Sequence, residues 1–210
     1  MKGDLVVVVA DGGIEQAILG MLTRPQALGI RTLNGVEFPK LRELDGGTYT
    51  RGHELAALYK DTHQHALIVF DLDWEGRPSD DPAVLEASVE GSLAAEWGLR
   101  GRCVVIDPEL EVWVWSDSPH VAAGLGWDGM PELRQWLGSK GLWNAADPKP
   151  ADPKAAYLAA IEAKRVQKSN ANFRALAEKV GFSRCQDRSF QRLGEILRGW
   201  FPQSPASPAP

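Results

Sequence analysis

The chain reads as an α/β protein with a mainly parallel central sheet flanked by helices and a helical C-terminal region. Three observations predict this. Apolar runs at residues 5–10, 65–70 and 102–106 have the continuous, β-branched character of strands covered on both faces. Helical spacing at 14–22 and 82–97 alternates with them, as crossovers between parallel strands require. Beyond residue 106 the regular apolar spacing turns helical, and no comparable long strand follows.

The first unit is a strand, a glycine turn at Asp11-Gly12-Gly13, and a helix that ends at Thr23-Arg24-Pro25. Residues 32–47 are mixed and read as loop, with a short strand near Val36; a second helix is expected from His53 to Tyr59. The strand at 65–70 runs into Asp71-Leu72-Asp73. After a polar loop, Asp81-Pro82 is an N-cap followed by proline at the first helical position, which sets a helix from Pro82 to about Trp97. Residues 109–115, ELEVWVW, alternate like a strand, but Pro108 and Glu109 also suit a helix start, so these residues alone leave both open. Helices are expected at 130–140, 153–165, 171–180 and 190–200. The proline-dense stretch 147–153 divides a core of residues 1–146 from a helical extension, 147–200, packed on it. Residues 201–210 have the composition of a disordered tail.

Composition excludes several classes. The chain has 210 residues, 44% hydrophobic and 24% charged, enough to bury a core without staples. Its two cysteines, Cys103 and Cys185, form no CxxC pair or disulfide framework. No run approaches a membrane span, and Asp4 breaks the signal-peptide pattern, so a cytoplasmic protein without a membrane partner is expected. The formal charge of −5 argues against indiscriminate nucleic-acid binding while allowing a local basic face. His53, His63, His65 and His120 supply no complete zinc ligand set.

The chemistry-bearing feature is a series of carboxylates placed just after strands. Asp11 and Glu15 flank the first turn, Asp71 and Asp73 end the middle strand, and Asp107, Glu109 and Glu111 follow the third. In a parallel sheet these ends open onto one edge, where ligand crevices form. Clustered carboxylates need protons or cations to compensate them, and hard oxygen ligands suit Mg²⁺, with Mn²⁺ as the substitute. Each motif also has a plain local reading. Asp11 can cap its helix, DLD can be an exposed loop, and Glu111 can be a solvated neighbour of Trp113 and Trp115.

VVVVADGGIEQAIL resembles the opening of Toprim-like proteins, and IVFDLDWEG resembles their DxD segment. VIDPELEVWVW, with KSNANFRALAEKV and CQDRSFQRLGEIL, is similar to the DUF4276 group of Toprim-like proteins, a resemblance covering about residues 4–198. It implies a Toprim-like fold, a helical 109–115 segment and metal-dependent phosphodiester chemistry. Asp11, Glu15, Asp71 and Asp73 would be the metal-site residues and Glu111 a further catalytic carboxylate. The first position is Asp where the family has Glu, which shortens its reach by one methylene. The resemblance also implies bacterial antiviral defence, with DNA or RNA as substrate and other defence proteins as partners. The expected activity is a Mg²⁺-dependent nuclease; the alternative is a noncatalytic subunit of a defence or nucleic-acid-processing complex. Lys164, Arg165, Lys168, Arg174, Arg184, Arg188, Arg192 and Arg198 are the basic candidates for a nucleic-acid backbone, against a plain role as charged helix faces. Trp74, directly after DxD, is the one indole with a stacking alternative to packing.

Overall fold

The computed structural model describes residues 2–182 and 185–203. Four strands, β1 (Gly3–Val9), β2 (Val36–Glu37), β3 (His63–Asp71) and β4 (Gly101–Ile106), form one sheet in the order β2-β1-β3-β4. Every pairing is parallel, with Val9 opposite Val69 and Asp71 opposite Ile106. The helices are α1 (Gly12–Leu22), α2 (Pro25–Leu28), α3 (Leu44–Ala57), α4 (Pro82–Trp97), α5 (Pro119–Gly124), α6 (Met130–Ser139), α7 (Pro153–Ala163), α8 (Asn170–Ala177) and α9 (Arg188–Trp200).

The sheet is sandwiched as its apolar runs require. On β3 the period-2 alternation sends Ile68 and Phe70 to α3, where they meet Gly52 and Tyr49, while His65 on the other face stacks on Trp200 of α9. The chain leaves β1 toward β2 in one direction and returns across it to β3 in the other. The topological switch point therefore lies between the C-terminal ends of β1 and β3, where α/β sheets hold their ligands.

Glu86 and Glu90 of α4 close the outer edge of β4. They accept the N–H groups of Val105 and Cys103, each at 3.1 Å. Arg188 and Arg192 of α9 hold the same carboxylates at 2.6–3.1 Å, and Arg192 also donates to the Cys103 carbonyl. The i,i+4 spacing of these arginines is thus used to cover an open sheet edge.

A second apolar cluster gathers Trp115, Trp127 and Trp143 with Tyr157, Ile161 and Leu176. The boundary expected at 146/147 does not separate the two cores. The helical cluster draws on residues from 114 to 180, and α9 returns to the sheet core through Phe190, Leu193 and Leu197. Indole N–H groups fasten this lobe: Trp115 donates to Pro153 O at 2.9 Å, Trp127 to Ala160 O at 3.1 Å, and Trp113 to Ser189 Oγ at 2.8 Å.

Two further expectations change, and one choice left open by the residues is decided. The second helix starts at Leu44, nine residues before His53. Residues 110–113 form a 3-10 turn, so the alternation of ELEVWVW does not make a strand. Phe201 is fully buried and Pro202 bridges Ile30, so the expected tail is packed at its start; residues 204–210 lie outside the described residues, as does Arg184.

Candidate functional site

The opening Asp-Gly-Gly turn is built for close approach. Asp11 Oδ1 accepts from Ile14 N–H at 2.9 Å and caps α1. A Cβ on Gly12 would lie 2.6 Å from Asn170 Nδ2, and one on Gly13 would lie 3.0 Å from Leu110. The start of α8 and the turn after β4 therefore both seat on this glycine pair. Farther along α1, a Cβ on Gly20 would lie 2.6 Å from the Arg174 carbonyl, so glycine sets the α1–α8 separation.

A second Asp-Gly-Gly, at Asp45-Gly46-Gly47, opens α3 and brings another carboxylate to the same edge. Asp45 Oδ1 accepts the backbone N–H of Asp71 at 2.8 Å. Gly46 lets the Trp74 ring close over the turn, and Gly47 stands where a Cβ would meet the Glu43 side chain at 2.3 Å. Leu44, immediately before Asp45, holds φ at 52°, a left-handed conformation costly for a leucine. Sequence reasoning missed Asp45 because residues 32–47 carry no clear periodicity and read as loop, with no apolar strand just before Asp45 as there is before Asp11. The repeated Asp-Gly-Gly was the signal that could have found it.

Asp71 is the centre of the arrangement. Its Oδ1 is sealed from solvent and has no hydrogen-bond partner. Burial pushes its pKa well above the usual carboxylate range, reinforced by the charges of Asp45 and Asp11 and by Glu111, against a lowering contribution from the Leu110 N–H. Burial also raises Asp45, with Asp11 and Glu109 adding to it while the Asp71 N–H opposes it. Glu111, 8% exposed, is raised by burial and by Glu109, against Lys154. It is therefore not the solvated residue of the local reading; the 3-10 turn directs it inward. Lys154, in the first turn of α7, donates to Glu109 Oε1 at 2.7 Å. That bond is the main cause of its raised pKa, and Glu111 and Asp71 contribute further.

The predicted residues thus divide. Asp11, Asp71 and Glu111 converge, within one another's electrostatic reach. Asp73 does not join them. The Leu72 N–H bonds to the Ile106 carbonyl at 2.7 Å and is shared with Pro108 O at 3.1 Å, the Asp73 N–H turns to Pro108 O at 3.0 Å, and the Asp73 side chain faces solvent, paired with Arg77 at 3.4 Å. The two carboxylates of DLD therefore cannot act as an adjacent pair in this conformation. Glu15 is bonded to Lys40 on the α1 side. Asp107 feels Asp187 and Arg188 instead of the crevice carboxylates.

The basic candidates are largely committed elsewhere. Arg188 and Arg192 cover the β4 edge, Arg198 reaches the Leu28 carbonyl, Arg174 pairs with Glu178, and Lys164 pairs with Glu132. The Trp74 ring packs 5.7 Å from Tyr49 and against Gly46, which is a packing role. His63 packs on Tyr59 and His65 on Trp200, apart from the carboxylates.

Among the described residues, no group of three or more His, Cys, Asp or Glu side chains stands ready to hold a metal ion. The donor chemistry at the crevice nevertheless fits a hard cation: the side chains offered are carboxylates, and one buried oxygen lacks a partner. No family model, curated protein or solved structure matches the chain. Among the described residues, no helix is long and apolar enough to cross a membrane.

Proposed function

We propose that the crevice between β1 and β3 is a divalent-cation-dependent phosphodiester site, and that the protein cuts DNA or RNA there with Mg²⁺ or Mn²⁺. One observation carries this reading: Asp71 Oδ1 is buried without a partner amid Asp45, Asp11 and Glu111. An uncompensated carboxylate cluster of this kind is costly unless a proton or cation shares it. Asp71 and Asp45, which are hydrogen-bonded neighbours, would offer the ion its first oxygens, with Asp11 within electrostatic reach but not preformed as a third ligand; when bound, the ion would activate water and stabilise charge on a phosphoryl group. Asp45 fixes the end of β3 by accepting the Asp71 N–H. Glu111, whose pKa burial raises, is placed to hold or release a proton beside Asp71.

The test is cleavage of single- and double-stranded DNA, RNA and nucleotides in Mg²⁺ and Mn²⁺ against chelator. Asp71→Asn and Asp45→Asn should abolish cation-dependent turnover in soluble, folded protein. Turnover unchanged in either variant, or no activity and no cation effect on melting in the unaltered chain, would overturn the reading.

A second reading is a noncatalytic subunit that keeps the acidic crevice for binding. The commitment of Arg188 and Arg192 to the sheet edge favours it, since it removes two basic side chains from any nucleic-acid track. Nucleic-acid binding without cleavage across the same panel would select it. A defence role rests on the family resemblance alone, and neighbouring genes for helicases, methyltransferases or ATPases would support it.

A further inference from the structure

We propose that Lys154 is the residue that binds a backbone phosphate of the nucleic acid at this crevice, by exchanging its bond to Glu109 for a phosphate oxygen. The inference rests on the phosphodiester reading and deepens it by naming the substrate contact.

A carboxylate-lined crevice repels a polyanion, so a cation at its rim must meet the phosphates if one is to enter. Of the basic residues singled out by sequence, Arg188, Arg192, Arg198, Arg174 and Lys164 are engaged away from the crevice, and Arg165 and Lys168 are not among the charges that act on Asp71, Asp45 or Glu111. Lys154 is beside it. Its Nζ lies 2.7 Å from Glu109 Oε1, and it is the lysine whose field acts on Glu111. It also lines an open depression with Glu109 and Asp73 on the outer side of the crevice.

The base of Lys154 is fixed while its tip is not. Asp152 caps α7 through the Ala155 N–H at 2.8 Å, and the Trp115 indole holds the Pro153 carbonyl at 2.9 Å. From this anchored first turn, a four-carbon stem carries the ammonium, the side chain as a whole being 47% exposed. The lysine side of the pair is about half exposed while Glu109 is largely covered, and an ammonium with three donors can turn outward to take a phosphate oxygen in place of Glu109. Glu109 then acts as the competing anion that holds Lys154 when no substrate is present. The buried, unpartnered Asp71 Oδ1 marks the interior of the same site as the place where a compensating group is required.

The test is binding by the full chain in Ca²⁺, read by fluorescence anisotropy of labelled single-stranded DNA, its duplex and the equivalent RNA over a range of salt. Lys154→Gln should weaken binding about three- to tenfold. It should also flatten the slope of log K against log salt by about 0.7 on single strands and about 0.9 on duplex. Lys154→Arg should recover most of the affinity. Glu109→Gln should tighten binding, and that gain should vanish in the Lys154→Gln background. Lys60→Gln, which removes a lysine paired with Glu96 beyond the other end of α3, should change neither affinity nor slope.

A merely structural ion pair would make Lys154→Gln and Glu109→Gln change binding in the same direction, and that result overturns the proposal. So does wild-type affinity and slope in Lys154→Gln, or an equal Glu109→Gln gain with and without Lys154. Cleavage by the unaltered chain with no KM change in Lys154→Gln removes the Lys154 role and leaves the phosphodiester reading standing. No binding and no cleavage by the unaltered chain removes both.

Discussion

Replacing Asp71 by Asn should stabilise the cation-free protein at neutral and alkaline pH. The Asp71 carboxylate is desolvated, its Oδ1 has no partner, and Asp45, Asp11 and Glu111 all disfavour its charge. Its pKa is raised in the folded state above an ordinary value of 3.8. Between those two values the native chain holds more protons than the unfolded one, so this group's contribution to stability falls as pH rises through the window. Above the window the whole penalty is present. Asn has nearly the same shape and no charge, and its amide can donate toward the surrounding carboxylates. Leaving a buried polar group unsatisfied costs about 1–3 kcal/mol. At about 2–4 °C per kcal/mol for a chain of this length, relief of that cost should raise Tm by on the order of 5 °C. The assay is thermal unfolding in chelator at about pH 8 and about pH 4; the gain should be present at the higher pH and shrink at the lower, where Asp71 is itself neutral. Adding Mg²⁺ should raise the Tm of the unaltered chain, by about 2.7 kcal/mol of stability at a hundredfold excess over Kd, and leave Asp71→Asn unmoved. A variant less stable than the parent at about pH 8 in chelator would refute the reasoning, because it would mean that the native site already satisfies the carboxylate.

Asp45→Asn and Asp73→Asn should separate sharply in cleavage assays. The first weakens the support of the Asp71 N–H and should remove most turnover, while the exposed Asp73→Asn should keep it and alter stability by no more than about 0.5 kcal/mol in denaturant titration. Glu86→Ala leaves the Val105 N–H without its acceptor and removes the carboxylate shared by Arg188 and Arg192; urea unfolding should register a loss of about 1–3 kcal/mol, and an unchanged midpoint would contradict the edge-covering role. His65, lowered to about 4 chiefly by burial, with Arg100 adding to it, is neutral at pH 7. Its native form binds fewer protons than the unfolded chain between about 4 and its ordinary 6.5, so its contribution is full above that range and is lost as pH falls through it. Because the ring is only half-buried, the effect is discounted to roughly 1 kcal/mol, and His65→Phe should flatten that part of the stability–pH profile by this amount.

Elements defined by their own residues were legible from sequence. β1 is a run of valines, and α4 carries its start signal in Asp81-Pro82; both occur where the pattern places them. The parallel order of the sheet followed from alternation of these units, and with it the edge at which Asp11, Asp71 and Glu111 meet. These features depend on φ/ψ preferences, caps and periodicity within a few residues, which is the information a local stretch of chain contains.

The membership of the site depends on contacts between distant segments. Residues 44–47 fall in the stretch that reads as loop, yet they open α3, which packs on the sheet through Gly52, where a Cβ would lie a tight 3.2 Å from Ile68 Cδ1. That packing delivers Asp45 to Asp71. Conversely, DLD looks like one motif, but the ladder bond of Leu72 to Ile106 O gives way at Asp73 to a bond with Pro108 O, leaving Asp71 inside and Asp73 in solvent. Likewise Arg188 and Arg192 show their same-face spacing in sequence, while only the approach of α4 to β4 supplies the carboxylates that occupy them. Local chemistry sets which side chains are available to a parallel-sheet crevice; long-range backbone hydrogen bonds and glycine-permitted close packing select which of them enter it.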